Sequence, residues 1–261
     1  MKKILALIMA VLMMTACFAG CGEDTATDAT GEAKTYIIYS DNSFAPFEFL
    51  DTNTNTYVGV DMELLAAIAK DQGFKYEMHN EGFDPAMGAV QSGQADAMIA
   101  GMTINDKRKE TFDFSDGYFE DGSILVVAQG NTAITDESKL AGKKVAAKIG
   151  TVSTTYAESL KDKYGFEINY FEDSPAMYQA VASGNADACF EDYSVIAWAI
   201  KESGVKLQTV GSVVNPSQYG FAVKKGQNAE LITMFNKGLA NIKANGEYEK
   251  ILNKYGYSAE K

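Results

Sequence analysis

The sequence predicts an α/β protein built as two similar lobes, and a repeated unit is the main observation behind this prediction. Residues 85–98 and 175–189 both begin with Pro-Ala-Met and share Ser-Gly-x-Ala-Asp-Ala, with one extra residue in the second copy. Each copy is typical of a helix that stops at Gly93 or Gly184, followed by a turn and a short buried strand. Strands that alternate with helices in this way predict mostly parallel sheets with helices on both faces.

The composition allows a well-packed core and excludes several classes of partner. Of the 261 residues, 46% are apolar and 22% are charged, which suits one large domain or two of moderate size. The formal net charge of −12 argues against binding to nucleic acid or to an anionic membrane surface. His79 has no neighbouring Cys or His, so we expect no metal, and no phosphate or dinucleotide motif predicts a cofactor. Cys189 is expected to be a buried structural thiol.

The N-terminal segment has the pattern of a signal peptide. Two lysines precede an uncharged apolar run over residues 4–20, which is shorter than the ~20 residues of a membrane span. The run leads into Phe-Ala-Gly-Cys-Gly, which resembles a lipobox and predicts that Cys21 is lipidated. Cys17 is a weaker candidate, and ordinary secretion is the alternative. We therefore expect a signal peptide over residues 1–20 and a small, polar, disordered tether over residues 21–33.

The first half of the folded part is predicted to begin near Lys34. Asp61 is expected to cap a helix that Gly73 ends. An aromatic loop lies before this helix; we expect Phe49 in the core, whereas Phe44 and Phe47 fit either the core or an exposed stacking surface. The predicted elements are a strand over residues 36–39, the loop 41–49, a helix over about 61–72, a strand over 74–78 and the first repeat unit.

The second half follows a similar order. Residues 123–128 and 213–218 are predicted to cross between the lobes, so that lobe 1 comprises residues 34–121 and 218–261 and lobe 2 comprises residues 122–217. The other predicted elements are strands over residues 144–149, 166–171, 206–210 and 219–223, and helices over residues 151–164, 194–202, 229–244 and 247–255.

Polar loops at the predicted strand ends indicate where a ligand binds, because ligands of such sheets bind beyond the carboxyl ends of the strands. Arg108 is either a solvated charge or, with Thr103 beside it, a group that holds a carboxylate through several charge-assisted bonds. Gly150 and the helix that follows it can also present N–H groups to an anion. Glu191 and Asp192 end the second repeat strand, where Asp192 fits a helix cap or, as a carboxylate, an ammonium site. A cationic and an anionic site together predict a zwitterionic ligand.

Over roughly residues 34–257 the sequence is similar to the solute-binding proteins of bacterial polar amino-acid ABC importers, which include glutamine, histidine and arginine binders. This resemblance implies the type II periplasmic-binding fold, with two lobes joined by two crossing strands, a free amino acid as ligand and a membrane permease as partner. Together with the lipobox-like motif, it predicts an extracytoplasmic, lipid-anchored protein, on the outer face of the cytoplasmic membrane or in the periplasm; a monomer is expected. The similar stretches are residues 44–49, 59–64, 100–108, 112–115 and 219–223.

The resemblance also implies roles for individual residues at the two ends of the ligand backbone. Arg108 and Thr103 would hold the α-carboxylate, together with backbone N–H groups of Thr151 and Val152. The α-ammonium would bind the carbonyl oxygen of Gly101 and the carboxylate of Asp192.

The side chain of the ligand would lie between Phe44 and Phe83. Asp41 and Lys148 would stand near its tip. Glu191 departs from the histidine of the glutamine binders and makes the far end of the pocket more acidic, whereas Lys148 matches those binders. We therefore expect a polar or basic amino acid, without choosing one.

Two other functions use the same scaffold. One is a lyase similar to cyclohexadienyl dehydratase, with Glu191 as general acid. The other is a ligand-sensing lobe that acts on a receptor. The lipobox favours transport over the lyase, and the sequence contains no further membrane segment or signalling domain that would favour the sensor.

Overall fold

Two five-stranded sheets form the centres of two α/β lobes in the computed structural model, which describes residues 34–258. The predicted α/β class, with two lobes and two long strands that cross between them, is confirmed. The predicted signal peptide, the tether and the lipidation candidates Cys21 and Cys17 lie outside the described residues. Among the described residues, no helix has both the length and the apolar character needed to span a membrane.

The sheet of the first lobe has the strand order β5-β1-β6-β13-β7. β1 pairs in parallel with β5 and β6, and β13 returns from the far end of the chain to pair antiparallel with β6 and β7. A small antiparallel sheet, β2-β3-β4, stands beside it. The elements are β1 Thr35–Ser40, β2 Ser43–Phe44, β3 Glu48–Asp51, β4 Thr56–Val58, α1 Val60–Gln72, β5 Lys75–Asn80, α2 Phe83–Ser92, β6 Ala97–Met98, α3 Asp106–Lys109, β7 Phe112–Phe114, β13 Ala222–Lys224, α7 Ala229–Ala244 and α8 Glu247–Lys254.

The sheet of the second lobe has the strand order β10-β9-β11-β8-β12. β9 pairs in parallel with β10 and β11, and β8 pairs antiparallel with β11 and β12. The elements are β8 Phe119–Ala128, a 3₁₀ turn Glu137–Leu140, β9 Lys144–Lys148, α4 Val152–Tyr164, β10 Glu167–Phe171, α5 Ser174–Ala182, β11 Ala188–Asp192, α6 Tyr193–Trp198, a π-helical turn Ala199–Ser203 and β12 Leu207–Tyr219.

The two crossing strands differ from the prediction in their lengths. The sequence predicts three separate segments over residues 206–223, but β12 runs unbroken to Tyr219 because it pairs with β8 along nearly its whole length. The polar interruption that suggested separate segments is accommodated by shifts in register on either side of Val214. Asn215, with φ 50°, and Pro216 lie in this irregular part of the strand. Proline is tolerated at such irregularities because the regular hydrogen-bond ladder is already broken there.

The repeated sequence unit forms the same structure in both lobes, as predicted. α2 ends at Gly93, with φ 84°, and leads into β6 at the centre of the first sheet. α5 is followed by Ser183 and Gly184, with φ 77° at the glycine, and leads into β11 at the centre of the second sheet. Each copy therefore brings the chain to the carboxyl end of a central strand.

One predicted helix cap is wrong. α1 ends at Gly73 as predicted, but its N-cap is Gly59, which makes no side-chain cap bond. Asp61 is instead fully buried and accepts hydrogen bonds from the backbone N–H of Gly101 and the hydroxyl of Tyr118, at 2.8 and 2.7 Å. A tertiary interaction therefore replaces the local one that the sequence indicated.

Aromatic packing shows which side chains of the loop before α1 belong to the core. Phe47 is fully buried, with ring centroids of Phe119 and Tyr219 at 4.9 and 5.1 Å, so it belongs to the core. Phe49, which was expected in the core, is half-buried against Trp198. Cys189 is buried, as expected.

Candidate ligand-binding site

A pocket between the two lobes gathers the predicted site residues. All of them line it except Asp41, which lies behind it and pairs with Lys148. Ala100 also lines the pocket and was not predicted, because a small apolar residue carries no chemical signal. The lining residues are Phe44, Phe83, Ala100, Gly101, Thr103, Arg108, Lys148, Thr151, Val152, Glu191 and Asp192.

Strand ends and helix starts supply these side chains, as expected for ligand sites of α/β sheets. The first lobe contributes β2, the start of α2, the segment after β6 and the short helix α3. The second lobe contributes the end of β9, the start of α4 and the end of β11. Thr151 is the N-cap of α4, where its hydroxyl accepts the Thr154 N–H at 3.1 Å, and Val152 is the first helical residue.

Arg108 joins the two lobes. Its guanidinium donates to the carbonyl oxygen of Thr103 at 2.8 Å and to that of Gly150, across the cleft, at 3.1 Å. It also packs over the Phe83 ring at 5.3 Å. The Asn105 side chain fixes the start of α3 by accepting the Arg108 N–H. Burial lowers the Arg108 pKa to about 10, so the group is charged at neutral pH and is not a freely solvated surface charge.

Asp192, at the end of β11 in the second lobe, is buried and lines the same pocket. Its carboxylate accepts from the Ser153 hydroxyl at 3.0 Å and from the Tyr219 hydroxyl at 2.6 Å. It occupies the N-cap position of α6 but makes no side-chain cap bond, so its carboxylate does not cap the helix. Burial raises the pKa of Asp192, and the bonds from Tyr219 and Ser153 oppose that rise.

Tyr219 connects this carboxylate to a crossing strand, and the sequence did not single it out. Its hydroxyl lies 3.1 Å from Asp121 of β8 as well as 2.6 Å from Asp192. Burial and the nearby Asp192 raise the pKa of Asp121 to about 6. Because a hydroxyl has one proton, Tyr219 can make a full hydrogen bond to only one of the two carboxylates at a time. The protonation state of Asp192 in the pocket is therefore linked, through Tyr219, to that of Asp121 on β8, one of the strands that join the lobes.

Glu191 is held by its own lobe. Its carboxylate accepts from Ser174 at 2.8 Å, from Tyr178 at 2.7 Å and from the backbone N–H of Asp192 at 2.9 Å. Burial and the adjacent Asp192 raise the pKa of Glu191 to about 7, although Lys148 and these hydrogen bonds oppose the rise. Its charge therefore changes in the physiological pH range.

Lys148 and Asp41 form a buried ion pair between the lobes. Their side chains are 2% and 1% exposed. The Lys148 ammonium lies 4.6 Å from the centroid of Phe44 and 5.9 Å from that of Phe83, so it is close to both rings predicted to enclose a ligand side chain. Burial lowers the Lys148 pKa, but Asp41 and Glu191 outweigh this effect and the pKa is raised overall.

Gly101 has a conformation that other residues avoid. Its φ is 53°, and a Cβ at this position would lie 2.5 Å from Cε1 of Phe44. Glycine therefore lets the backbone approach the aromatic wall of the pocket. No group of His, Cys, Asp and Glu that could hold a metal ion occurs in the described part of the chain.

Comparison with known proteins identifies the class that this fold and pocket define. The model of the bacterial extracellular solute-binding proteins, family 3, matches residues 36–258. The chain belongs to this family, whose members include amino-acid-binding proteins.

Individual relatives cover nearly the whole chain. A "Probable histidine-binding protein" of Neisseria gonorrhoeae is 34% identical over 260 residues, which cover 98% of this chain and 96% of the relative. A solved structure of an ancestral arginine-binding protein bound to arginine is 37% identical, with TM-score 0.79, and the match covers 85% of this chain and 98% of the ancestral protein. The second substrate-binding domain of Lactococcus lactis GlnP, in an open conformation, is 44% identical, with TM-score 0.60, and covers 87% of this chain and 97% of its own.

Asp41→Asn is expected to lower the free energy of unfolding by about 3 kcal/mol, because it leaves the Lys148 ammonium buried without its partner. The double variant Asp41→Asn, Lys148→Met is expected to recover most of that loss. Urea denaturation without ligand measures both. A double variant no more stable than the single one would show that the pair is not an isolated electrostatic unit.

Proposed function

We propose that this chain is the substrate-binding lipoprotein of an ABC importer and that it captures a polar or basic L-amino acid in the pocket. The observation that carries the proposal is the presence of Arg108 and Asp192 in one pocket between two lobes. These charges match the two charges of an amino-acid backbone. In this proposal the lobes divide as the sequence predicts, with residues 122–217 as the second lobe.

The carboxylate end of the ligand is assigned to Arg108. A guanidinium binds a carboxylate with two parallel charge-assisted bonds, and Thr103 and the first N–H groups of α4 add further donors. The ammonium end is assigned to Asp192 and to the Gly101 carbonyl. Each lobe therefore holds part of the same ligand.

The ligand side chain is assigned to the space near Phe44, Phe83 and the Lys148–Asp41 pair. Aromatic faces suit a flat or cationic group, and Glu191 adds an acidic group. Relatives named as binders of histidine, arginine and glutamine support this polar or basic class.

Hinge closure is the proposed mechanism of capture. The bond from Arg108 to Gly150 and the pair of Lys148 with Asp41 already join the lobes. The structure superposes better on the arginine-bound ancestral protein than on the open domain, as their TM-scores show, although the open domain is more identical in sequence. This difference supports a lobe arrangement closer to the ligand-bound form than to the open one. The cavity in the pocket has a volume of about 10 Å³, about what one water molecule needs, so an amino acid requires the lobes to separate before it enters.

The energy required for closure is within reach of these contacts. Moving a two-state protein from mostly open to mostly closed takes about 5 kcal/mol of differential affinity. Hydrogen bonds to charged groups contribute roughly 1.5–3 kcal/mol each. A ligand that reaches Arg108 and Asp192 together gains several such bonds only in the closed form, and therefore shifts the population toward it. The closed protein then delivers its ligand to a membrane permease.

Arg108→Ala and Asp192→Ala are each expected to abolish amino-acid binding while the protein stays folded, because each removes the partner of one backbone charge. A thermal-shift screen against the standard amino acids and cystine identifies the ligand, since binding raises apparent stability. Calorimetry then measures affinity. The exposed neighbours Lys107→Ala and Asp106→Ala are the matched controls. Near-normal affinity in either pocket variant would contradict the proposal.

The ratio of the affinity for arginine to the affinity for glutamine is expected to rise several-fold between about pH 6 and about pH 8. Glu191, with its pKa of about 7, becomes ionised over this range and attracts a cationic side chain. Taking the ratio cancels the ionisation of groups that contact the shared backbone. Glu191→Gln should remove the pH dependence. An equal change of the ratio in that variant would assign the effect to another group.

Lipid attachment is expected at Cys21. Metabolic labelling of bacterial cells with a radioactive fatty acid should mark the wild-type protein and Cys17→Ser, but not Cys21→Ser. Labelling of Cys21→Ser and loss of label in Cys17→Ser would move the lipidation site to Cys17.

Catalysis by Glu191 is the second candidate, because its pKa of about 7 suits a general acid. The family match and the relatives, named as binding proteins, favour transport. A turnover assay with prephenate and arogenate distinguishes the two functions.

A further inference from the structure

Two buried carboxyl groups meet behind the wall of the pocket. Glu48 of β3 and Asp61 of α1 are both 0% exposed, and they lie close enough for Asp61 to raise the pKa of Glu48. Both oxygens of Glu48 and Oδ1 of Asp61 are buried and receive no hydrogen bond from any donor in residues 34–258. Oδ2 of Asp61 accepts the Gly101 N–H at 2.8 Å and the Tyr118 hydroxyl at 2.7 Å.

One proton on this pair of carboxyl groups removes the unfavourable contact between two negative charges. Two ionised carboxylates in contact would repel each other, and buried oxygens without donors would lose the solvation that water gives them. Asp61 already accepts two donors, which stabilise its ionised form. Glu48 has no such donors, so it is the group that holds the proton.

The surrounding charges agree with this assignment. Burial, Asp61 and Asp41 all raise the pKa of Glu48 well above its ordinary value, and only Lys148 opposes them. Burial raises the pKa of Asp61 to about 6, and the hydrogen bonds that it accepts hold the rise in check. Burial and the two carboxyl groups raise the pKa of Tyr118 well above its usual range, so its hydroxyl stays a donor.

The acceptor of this proton is also the residue that holds Gly101. The Asp61 carboxylate fixes the Gly101 N–H while the glycine adopts its φ of 53° against Phe44. A second ionised carboxylate beside Asp61 would push Asp61 away from this position. The orientation of Gly101 therefore depends on the protonation of Glu48.

We propose that Glu48 is a neutral carboxylic acid that donates a hydrogen bond to the Asp61 carboxylate, and that this acid pair positions Gly101 to accept a hydrogen bond from the ligand ammonium. Glu48 is a positioning residue, since it reaches the ligand only through Asp61 and Gly101. The role of Gly101 rests on the proposed function, whereas the protonation of Glu48 does not.

Infrared difference spectroscopy tests the protonation directly. At about pH 8, above the pKa of about 7 of Glu191, the wild-type protein should show the C=O stretch of a protonated carboxylic acid that Glu48→Gln lacks. The exposed Glu81→Gln should retain this band. An identical spectrum in the wild type and Glu48→Gln would overturn the proposal.

The pH dependence of stability provides a second test. The pKa of Glu48 is raised on folding, so the stability that its proton contributes is fully present below the unfolded pKa and is lost as pH rises toward the folded pKa. The loss reaches about tenfold in the folding equilibrium constant per pH unit. Glu48→Gln has no such proton, so its melting temperature relative to the wild type should climb from about pH 5 to about pH 8. A constant difference would contradict the proposal.

Ligand affinity tests the positioning role, with L-arginine and L-glutamine as probes. The Glu48→Gln amide can still donate to Asp61, so its affinity should stay within about threefold of the wild type, whereas Glu48→Leu should lose about tenfold or more. Equal losses in both variants, or no loss in either, would overturn the positioning role.

If Glu48→Leu does not fold, a loss above threefold in Glu48→Gln overturns the positioning role and retained affinity supports it. If the wild type binds neither probe nor any standard amino acid, the proposed function and the role of Gly101 fail, while the spectroscopic and stability tests still decide the acid pair.

Discussion

Burial of charge between the two lobes is the constraint on which the rest of the structure depends. Lys148 from the second lobe is almost inaccessible to water and has its partner, Asp41, on the first. Arg108 on the first lobe has one of its carbonyl acceptors, Gly150, on the second. A buried charge without a partner costs several kcal/mol, so these groups favour one relative position of the lobes. The same groups regain water when the lobes part, which makes opening feasible where an apolar interface would resist it.

The two lobes share the repeated helix and strand but differ in the segments that the strands lead into. In each repeat a glycine follows the helix, directly in the first copy and after Ser183 in the second, and the chain then enters a central strand, so both copies bring the chain to the cleft. After β6 the chain turns into Gly101, whose N–H is held by Asp61. The second strand, β11, itself ends in two buried carboxylates, of which Asp192 is tied to Tyr219. The repeat therefore fixes where the site lies, and the residues at the ends of these strands determine its chemistry.

Several residues that line the pocket could be predicted from the sequence because their signals are local, whereas Phe83 and the Gly101 carbonyl were named only through the family resemblance. A glycine after a helix, a polar segment after an apolar strand and an arginine near a threonine can all be recognised within a few residues. The failures involve contacts between distant segments. Nothing near Asp61 distinguishes a helix cap from a buried acceptor for Gly101, forty residues further along the chain. Tyr219 was assigned to a separate strand, because only the pairing of β12 with β8 makes it continuous with the crossing strand and places its hydroxyl beside Asp121 and Asp192.

The distribution of raised and lowered carboxyl pKa values relates the stability of the fold to its ligand. The lowered values belong to surface groups that accept local hydrogen bonds, such as Asp51 and Asp136. The raised values belong to buried groups at or near the pocket, so folding places unfavourable negative charge there. Arg108 and Lys148 neutralise only part of it, even with Glu48 protonated. An amino-acid ammonium reduces the remaining charge, and a cationic side chain reduces it further, whereas an acidic side chain adds to it. Binding of a cation relieves part of this electrostatic cost, so we expect the cleft to favour ligands with a net positive charge. The carboxyl groups with raised pKa values are Glu48, Asp61, Asp121, Glu191 and Asp192.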